Sequence, residues 1–181
     1  MHIPIAQPSL GNEENDAVLA VLASGMIAQG PVTAAFEDEF AAYCGVPHAV
    51  AVSNGTTALH AALLAAGVGP GDEVVVPAFT FFATASAVSM CGAVPVFADV
   101  DPATATIDPA DIIVKITEKT KAVIAVHLYG QPCDAAVVNK ICDARDLIFI
   151  EDAAQAHGAT YRGQKTGSLG DLACFSFYAT K

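Results

Sequence analysis

Leu147-Ile148-Phe149-Ile150-Glu151-Asp152-Ala153-Ala154-Gln155-Ala156-His157-Gly158 is the stretch that decides the fold. Its first four residues are too apolar for anything but a buried strand, and two acids follow at its end. Working outward, similar short runs recur at His48 to Ser53, Glu73 to Pro77, Pro95 to Asp99 and Lys121 to His127, separated by stretches with helical spacing. That alternation predicts a largely parallel sheet with helices on both faces, an α/β fold. Asn12 is expected to cap a first helix carrying Val18, Leu19, Val21 and Leu22 on one face. Phe36, Phe40 and Tyr43 space a second helix after Pro31. Asp108-Pro109-Ala110-Asp111 supplies an N-cap, a proline at the first helical position and an acid in the first turn. Asp134 does similar work before Val137, Val138 and Ile141, and Gly69-Pro70-Gly71-Asp72 reads as a tight turn. With no repeat, low-complexity tract or linker, the chain reads as one continuous domain.

Composition narrows the function. Only 15% of the 181 residues are charged and the mean hydropathy is +0.49, so much of the surface expects cover. Further chain, a partner subunit, or the many alanines that count as apolar without demanding burial could each account for this. A formal net charge of -11 with 8 Lys and Arg argues against a nucleic-acid ligand. No apolar run approaches a membrane span, and Met1-His2-Ile3-Pro4-Ile5 does not read as a signal peptide. The 5 cysteines, Cys44, Cys91, Cys133, Cys142 and Cys174, are odd in number and scattered, which suits small core residues in a reduced, cytoplasmic protein. His2, His48, His60, His127 and His157 lack zinc spacing, so no metal site is expected.

Several segments could carry chemistry. Ser53-Asn54-Gly55-Thr56-Thr57-Ala58-Leu59 follows an apolar run and opens a helix. Free amides, a close-approach glycine and adjacent hydroxyls would cradle a phosphate, although helix capping alone also explains Ser and Thr there. In Ala78-Phe79-Thr80-Phe81-Phe82-Ala83-Thr84, an aromatic at a strand's carboxyl end could stack on a flat ring. Phe81 is the first candidate and Phe82 the second, and at least one phenylalanine is expected in the core. Glu151-Asp152 needs a partner: either a protonated pyridine nitrogen, or an arginine such as Arg145 or Arg162. Gln155 and His157 could reach a ring oxygen or a substrate, and Tyr129 is a further substrate candidate. His127 and His157 equally suit hydrogen-bonded structural roles. Lys181 closes Phe175-Ser176-Phe177-Tyr178-Ala179-Thr180-Lys181. A strand-end acid with a later lysine is what pyridoxal phosphate chemistry requires, the amine holding the aldehyde and the acid keeping the ring nitrogen protonated.

Together these segments resemble the DegT/DnrJ/EryC1/StrS family of sugar aminotransferases. The resemblance runs from Gln29-Gly30-Pro31 and Phe36-Glu37 through Ser53 to Leu59, Gly71-Asp72-Glu73-Val74, Thr80-Phe81, His127-Leu128-Tyr129-Gly130-Gln131-Pro132 and Glu151 to Gly158, ending at Ser176-Phe177 and Lys181. It implies an aspartate aminotransferase-like (fold type I) large domain, a three-layer α/β/α sandwich with a mainly parallel mixed sheet, incomplete in this chain. On that basis, residues 1–181 hold the N-terminal arm and helices plus most of the pyridoxal phosphate-binding domain, without a small C-terminal domain. The resemblance further implies that Gly55, Thr56 and Thr57 bind the cofactor phosphate with Ser176, that Phe81 stacks on the ring, and that Asp152 pairs with its nitrogen. Gln155 would contact the ring hydroxyl, and Lys181 would hold the cofactor and move the proton.

The implied partners are a nucleotide-linked keto sugar, glutamate as amino donor, and a second copy sharing active sites in a homodimer. Lysine at 181 favours transamination, because sugar dehydratases that otherwise look alike carry histidine there. A lyase or desulfurase of the same fold and a non-catalytic cofactor- or sugar-binding module are the alternatives.

Overall fold

Val74, Val76, Ala122, Ile124 and Ile150 turn to one side of their strands, and Val75, Val123, Ala125 and Phe149 to the other. Each set is buried in its own apolar cluster. This is the period-two consequence of strands covered on both faces. The structure is a computed structural model describing residues 7–181, so the reading of Met1 to Ile5, with His2, lies outside the described residues. In chain order the helices are α1 (Asn12–Ser24), α2 (Pro31–Cys44), α3 (Gly55–Ala65), α4 (Ala83–Met90), α5 (Pro109–Lys115) and α6 (Ala135–Asp143). The strands are β1 (Glu73–Pro77), β2 (Val94–Ala98), β3 (Thr120–Val126), β4 (Ile148–Asp152), β5 (Thr160–Tyr161), β6 (Gln164–Lys165) and β7 (Leu172–Cys174).

Two compact units result, one made of residues up to Ala51 with Phe177–Lys181, the other of Val52–Ser176. In the larger unit, β2-β1-β3-β4-β7 form a sheet whose neighbours all pair in parallel. The predicted α/β architecture is therefore present as three layers. Leu59 and Leu63 of α3 and Ala87 and Val88 of α4 cover one face; Ile112 of α5 and Val138 of α6 cover the other. Strand order reverses at β1, with β2 on one side and β3 on the other, and ligands in such sheets collect at the carboxyl edge beside that switch. The expected punctuation is in place. Asp108 caps α5 by accepting from the Ala110 N–H at 2.8 Å, and Asp134 caps α6. The turn at Gly69 closes with an Asp72 N–H bond of 3.1 Å to its carbonyl.

Three expectations need correction. His48–Ser53 is irregular, not a strand, and Val50 is 79% exposed. An apolar run becomes a strand only where another backbone completes its ladder. Here side chains meet the backbone at Ala51 instead: Glu37 Oε1 accepts from its N–H at 2.7 Å, and Gln29 Nε2 donates to its carbonyl at 3.1 Å. The cap of α1 is Gly11, one residue before Asn12, with the Gly11 N–H donating to Glu14 at 2.6 Å. None of Phe79, Phe81 and Phe82 is in the core.

In the smaller unit, the helical spacing of Phe36, Phe40 and Tyr43 gives an aromatic stripe along α2. Phe177 meets Phe36 and Phe40 edge-on, at 5.3 Å between ring centroids in each case. Of the apolar face expected on α1, Val18, Leu19 and Leu22 are each about 60% exposed and Val21 is half-buried.

Candidate active site

Parity along β4 separates its two acids. Asp152 shares the face of Ile150, under α3 and α4, while Glu151 shares the face of Phe149, under α5 and α6. Asp152 is 6% exposed. Its Oδ2 accepts from Thr84 Oγ1 at 2.8 Å, and its Oδ1 accepts from the Ala154 N–H at 3.2 Å. Thr84, at the start of α4, reaches past the end of β3 to make that bond, and Thr80 Oγ1 lies 3.0 Å behind it.

Glu151 is fully buried and its oxygens take four donors. Leu169 and Gly170 give amides to Oε1 at 2.7 and 2.9 Å; Gly167 gives an amide and His127 its Nε2 to Oε2, each at 2.9 Å. Burial pushes this carboxyl up, and the bonds from His127, Gly167 and Gly170 overcome it, leaving the pKa below the ordinary carboxylate value. The Cys133 N–H donates to His127 Nδ1 at 3.2 Å, so Nδ1 carries no proton and the ring gives its Nε2–H to Glu151. His127 is thus a structural histidine. Neither arginine supplies a Glu151 donor, and Arg162 lies over the Tyr161 ring at 5.0 Å.

Beyond His127 the backbone turns sharply, with Tyr129 in the left-handed region at φ 55°, an uncommon place for a bulky residue. Its N–H donates to Gln155 Oε1 at 2.8 Å, which leaves the Gln155 amide nitrogen as the donor end of that side chain. Tyr129 is 77% exposed, and the His157 ring sits 5.4 Å from that of Phe175. Phe81 and Phe82 are 60% and 70% exposed, their centroids 4.8 Å apart.

The loop into α3 meets the carboxyl end of β7. A Cβ placed on Gly55 would lie 3.0 Å from Ser176 Cβ and 3.3 Å from the Phe175 carbonyl, so glycine is needed for this approach. Asn54 caps α3 by accepting the Thr57 N–H at 2.9 Å, and the Thr57 hydroxyl bonds the same oxygen at 3.2 Å. Among the described residues, the amides of Gly55 and Thr56 have no acceptor. Two uncapped amides and a serine packed at a helix N-terminus fit a phosphate, and a near-buried carboxylate fits a cationic ring nitrogen. Lys181 belongs to the smaller unit, where its N–H donates to the Tyr178 carbonyl at 2.8 Å.

The structure thus brings together Gly55 with Ser176, and Tyr129 with Gln155. Thr84 and the Glu151–His127 pair are the residues that the sequence reading did not assign. All 5 cysteines are free and buried, and burial pushes the thiols of Cys133, Cys142 and Cys174 up to about 12. No described helix is long and apolar enough to cross a membrane.

A parallel sheet with helices on both faces fits the large domain of the pyridoxal phosphate aminotransferases that the chain resembles in fold. The chain belongs to the DegT/DnrJ/EryC1/StrS aminotransferase family, whose pattern it matches over residues 8–181. Members of that family depend on pyridoxal phosphate. GDP-perosamine synthase of Caulobacter vibrioides is 51% identical over 99% of this chain and 48% of its own length. dTDP-3-amino-3,4,6-trideoxy-alpha-D-glucose transaminase of Streptomyces venezuelae is 44% identical over 100% of this chain and 48% of its own. The aminotransferase structure from Psychrobacter cryohalolentis superposes with a TM-score of 0.93 at 44% identity, covering 97% of this chain and 46% of that one. The chain spans about half the length of the curated relatives it matches.

Proposed function

We propose that this chain is the N-terminal part of an aminotransferase that converts a nucleotide-linked keto sugar to an amino sugar, with glutamate as donor. The small C-terminal domain would lie in the remainder. The observation that carries the reading is Asp152: a near-buried carboxylate at the end of β4, hydrogen-bonded at both oxygens, in a chain matched by an aminotransferase family almost throughout. When bound, pyridoxal phosphate supplies the electron sink that transamination requires.

Gly55 and Thr56 would hold the phosphate through their amides, and Thr56, Thr57 and Ser176 through hydroxyls, with the N-terminus of α3 favouring the negative charge. Phe81 would cover the ring, and Asp152 would keep its nitrogen protonated. Gln155, its carboxamide oriented by the Tyr129 N–H, would donate to the ring oxygen. Lys181 Nζ would tether the cofactor at rest. Released by the amino donor, it would move the proton at the substrate carbon. His157 and Tyr129 are the proposed substrate contacts. The likeness to two nucleotide-sugar enzymes supports the substrate class; the reaction would run in the cytoplasm, in a homodimer with shared sites.

The test is the full-length protein with a panel of nucleotide keto sugars and glutamate, the product being read by mass spectrometry. Amino-sugar formation is expected, with Lys181→Ala lowering turnover by about a thousandfold or more. Cysteine or cystathionine breakdown without keto-sugar turnover would overturn the assignment.

A further inference from the structure

We infer that Thr84, backed by Thr80, is a positioning residue that orients Asp152 for a cationic partner; this rests on the function proposed above. The Thr84 hydroxyl donates to Asp152 Oδ2 at 2.8 Å. A hydroxyl has one proton, so the 3.0 Å bond between the two threonines must be donated by Thr80. The chain therefore runs in one direction, Thr80 to Thr84 to Asp152, and the Ala154 N–H supplies Oδ1.

Burial makes the Thr84 hydroxyl hard to replace. Thr84 is fully buried and Asp152 only 6% exposed, so water has little access with which to substitute for a lost donor. Thr84 also ties the acid to the proposed ring cover, since its N–H donates to the Phe81 carbonyl at 3.1 Å. One buried residue thus links the segment after β1 to the end of β4, with β3 between them in the sheet.

The experiment measures pyridoxal 5'-phosphate binding to the full-length apoprotein by equilibrium dialysis, with kcat followed in parallel. Thr84→Val keeps the shape and removes the donor, and it should raise the dissociation constant roughly tenfold; Thr84→Ser should stay within about twofold of the wild type. Thr80→Val, one bond further away, should raise it about threefold. In an Asp152→Asn background, Thr84→Val should add less than about twofold, because Thr84 acts through the carboxylate. A merely structural threonine would weaken binding equally in both backgrounds, and that result overturns the proposal. So does wild-type binding by Thr84→Val while Asp152→Asn binds weakly. If instead Asp152→Asn binds as tightly as the wild type, the reading of Asp152 as the ring-nitrogen partner fails, and the inference fails with it. Should Thr84→Val not fold, Thr80→Val decides, since unchanged binding in that variant removes the relay.

Discussion

Glu151 and Asp152 are neighbours in sequence and opposites in structure. Glu151 is fully buried, satisfied by four donors, and knots the turn at His127 to the loop at 167–170. Asp152 accepts from Thr84 and Ala154 at the edge where Phe81 and Tyr129 stand exposed. On the function proposed here, one strand end serves stability on one face and chemistry on the other. Period-two geometry hands each carboxylate to a different layer. Breaking the two acids separately should therefore produce different failures.

The largest effect is expected from Glu151→Ala. It strands three amides and an imidazole N–H inside the protein and should cost about 4 kcal/mol, read by urea denaturation of the full-length protein. A loss below about 1 kcal/mol would break the comparison. Next comes Asp152→Asn, which keeps an acceptor for Thr84 while losing the charge. Stability should stay within about 1 kcal/mol of the wild type while turnover falls about a hundredfold. Equal damage to both quantities would erase the distinction between the two faces.

Acid titration sharpens the contrast further. The folded pKa of Glu151 lies below its ordinary value of 4.5, so its contribution is complete above that value and is lost as pH falls through the lowered one. Glu151→Gln should flatten this part of the stability curve below about pH 4.5, as followed by circular dichroism. The smallest effect is expected at the Tyr129 turn. Tyr129→Gly relieves a left-handed backbone and should gain up to about 1 kcal/mol, whereas Tyr129→Ala should not. A thermal melt of the two variants separates these outcomes.

Much of the fold was legible because its signals are local. The apolar run Glu73 to Pro77 needed no context to be read as β1, and Asp108-Pro109 announced α5 through capping chemistry. His48–Ser53 misled because a strand depends on its neighbours as much as on its own residues. The three phenylalanines after β1 misled in the same way, since their apolarity says nothing about whether packing reaches them. At the candidate site, the Gly55 loop and the strand-end acids stood out by motif. Thr84 did not, because its partner lies 68 residues away and a threonine four residues after another has many meanings. The parity of Asp152 with Ile150 was nonetheless available to suggest which acid turns toward α3 and α4.

By itself, the sequence determined the alternation of strands and helices, the placing of phosphate-type and acidic residues at strand ends, and the family. Each of these depends on residue type and spacing along the chain. Only the tertiary structure decided that Glu151 is a buried structural anchor, that His127 serves it in one tautomer, and that Asp152 leans on a directed pair of hydroxyls. These depend on which backbones lie side by side, and on how a small number of buried donors must be shared among acceptors that water does not reach.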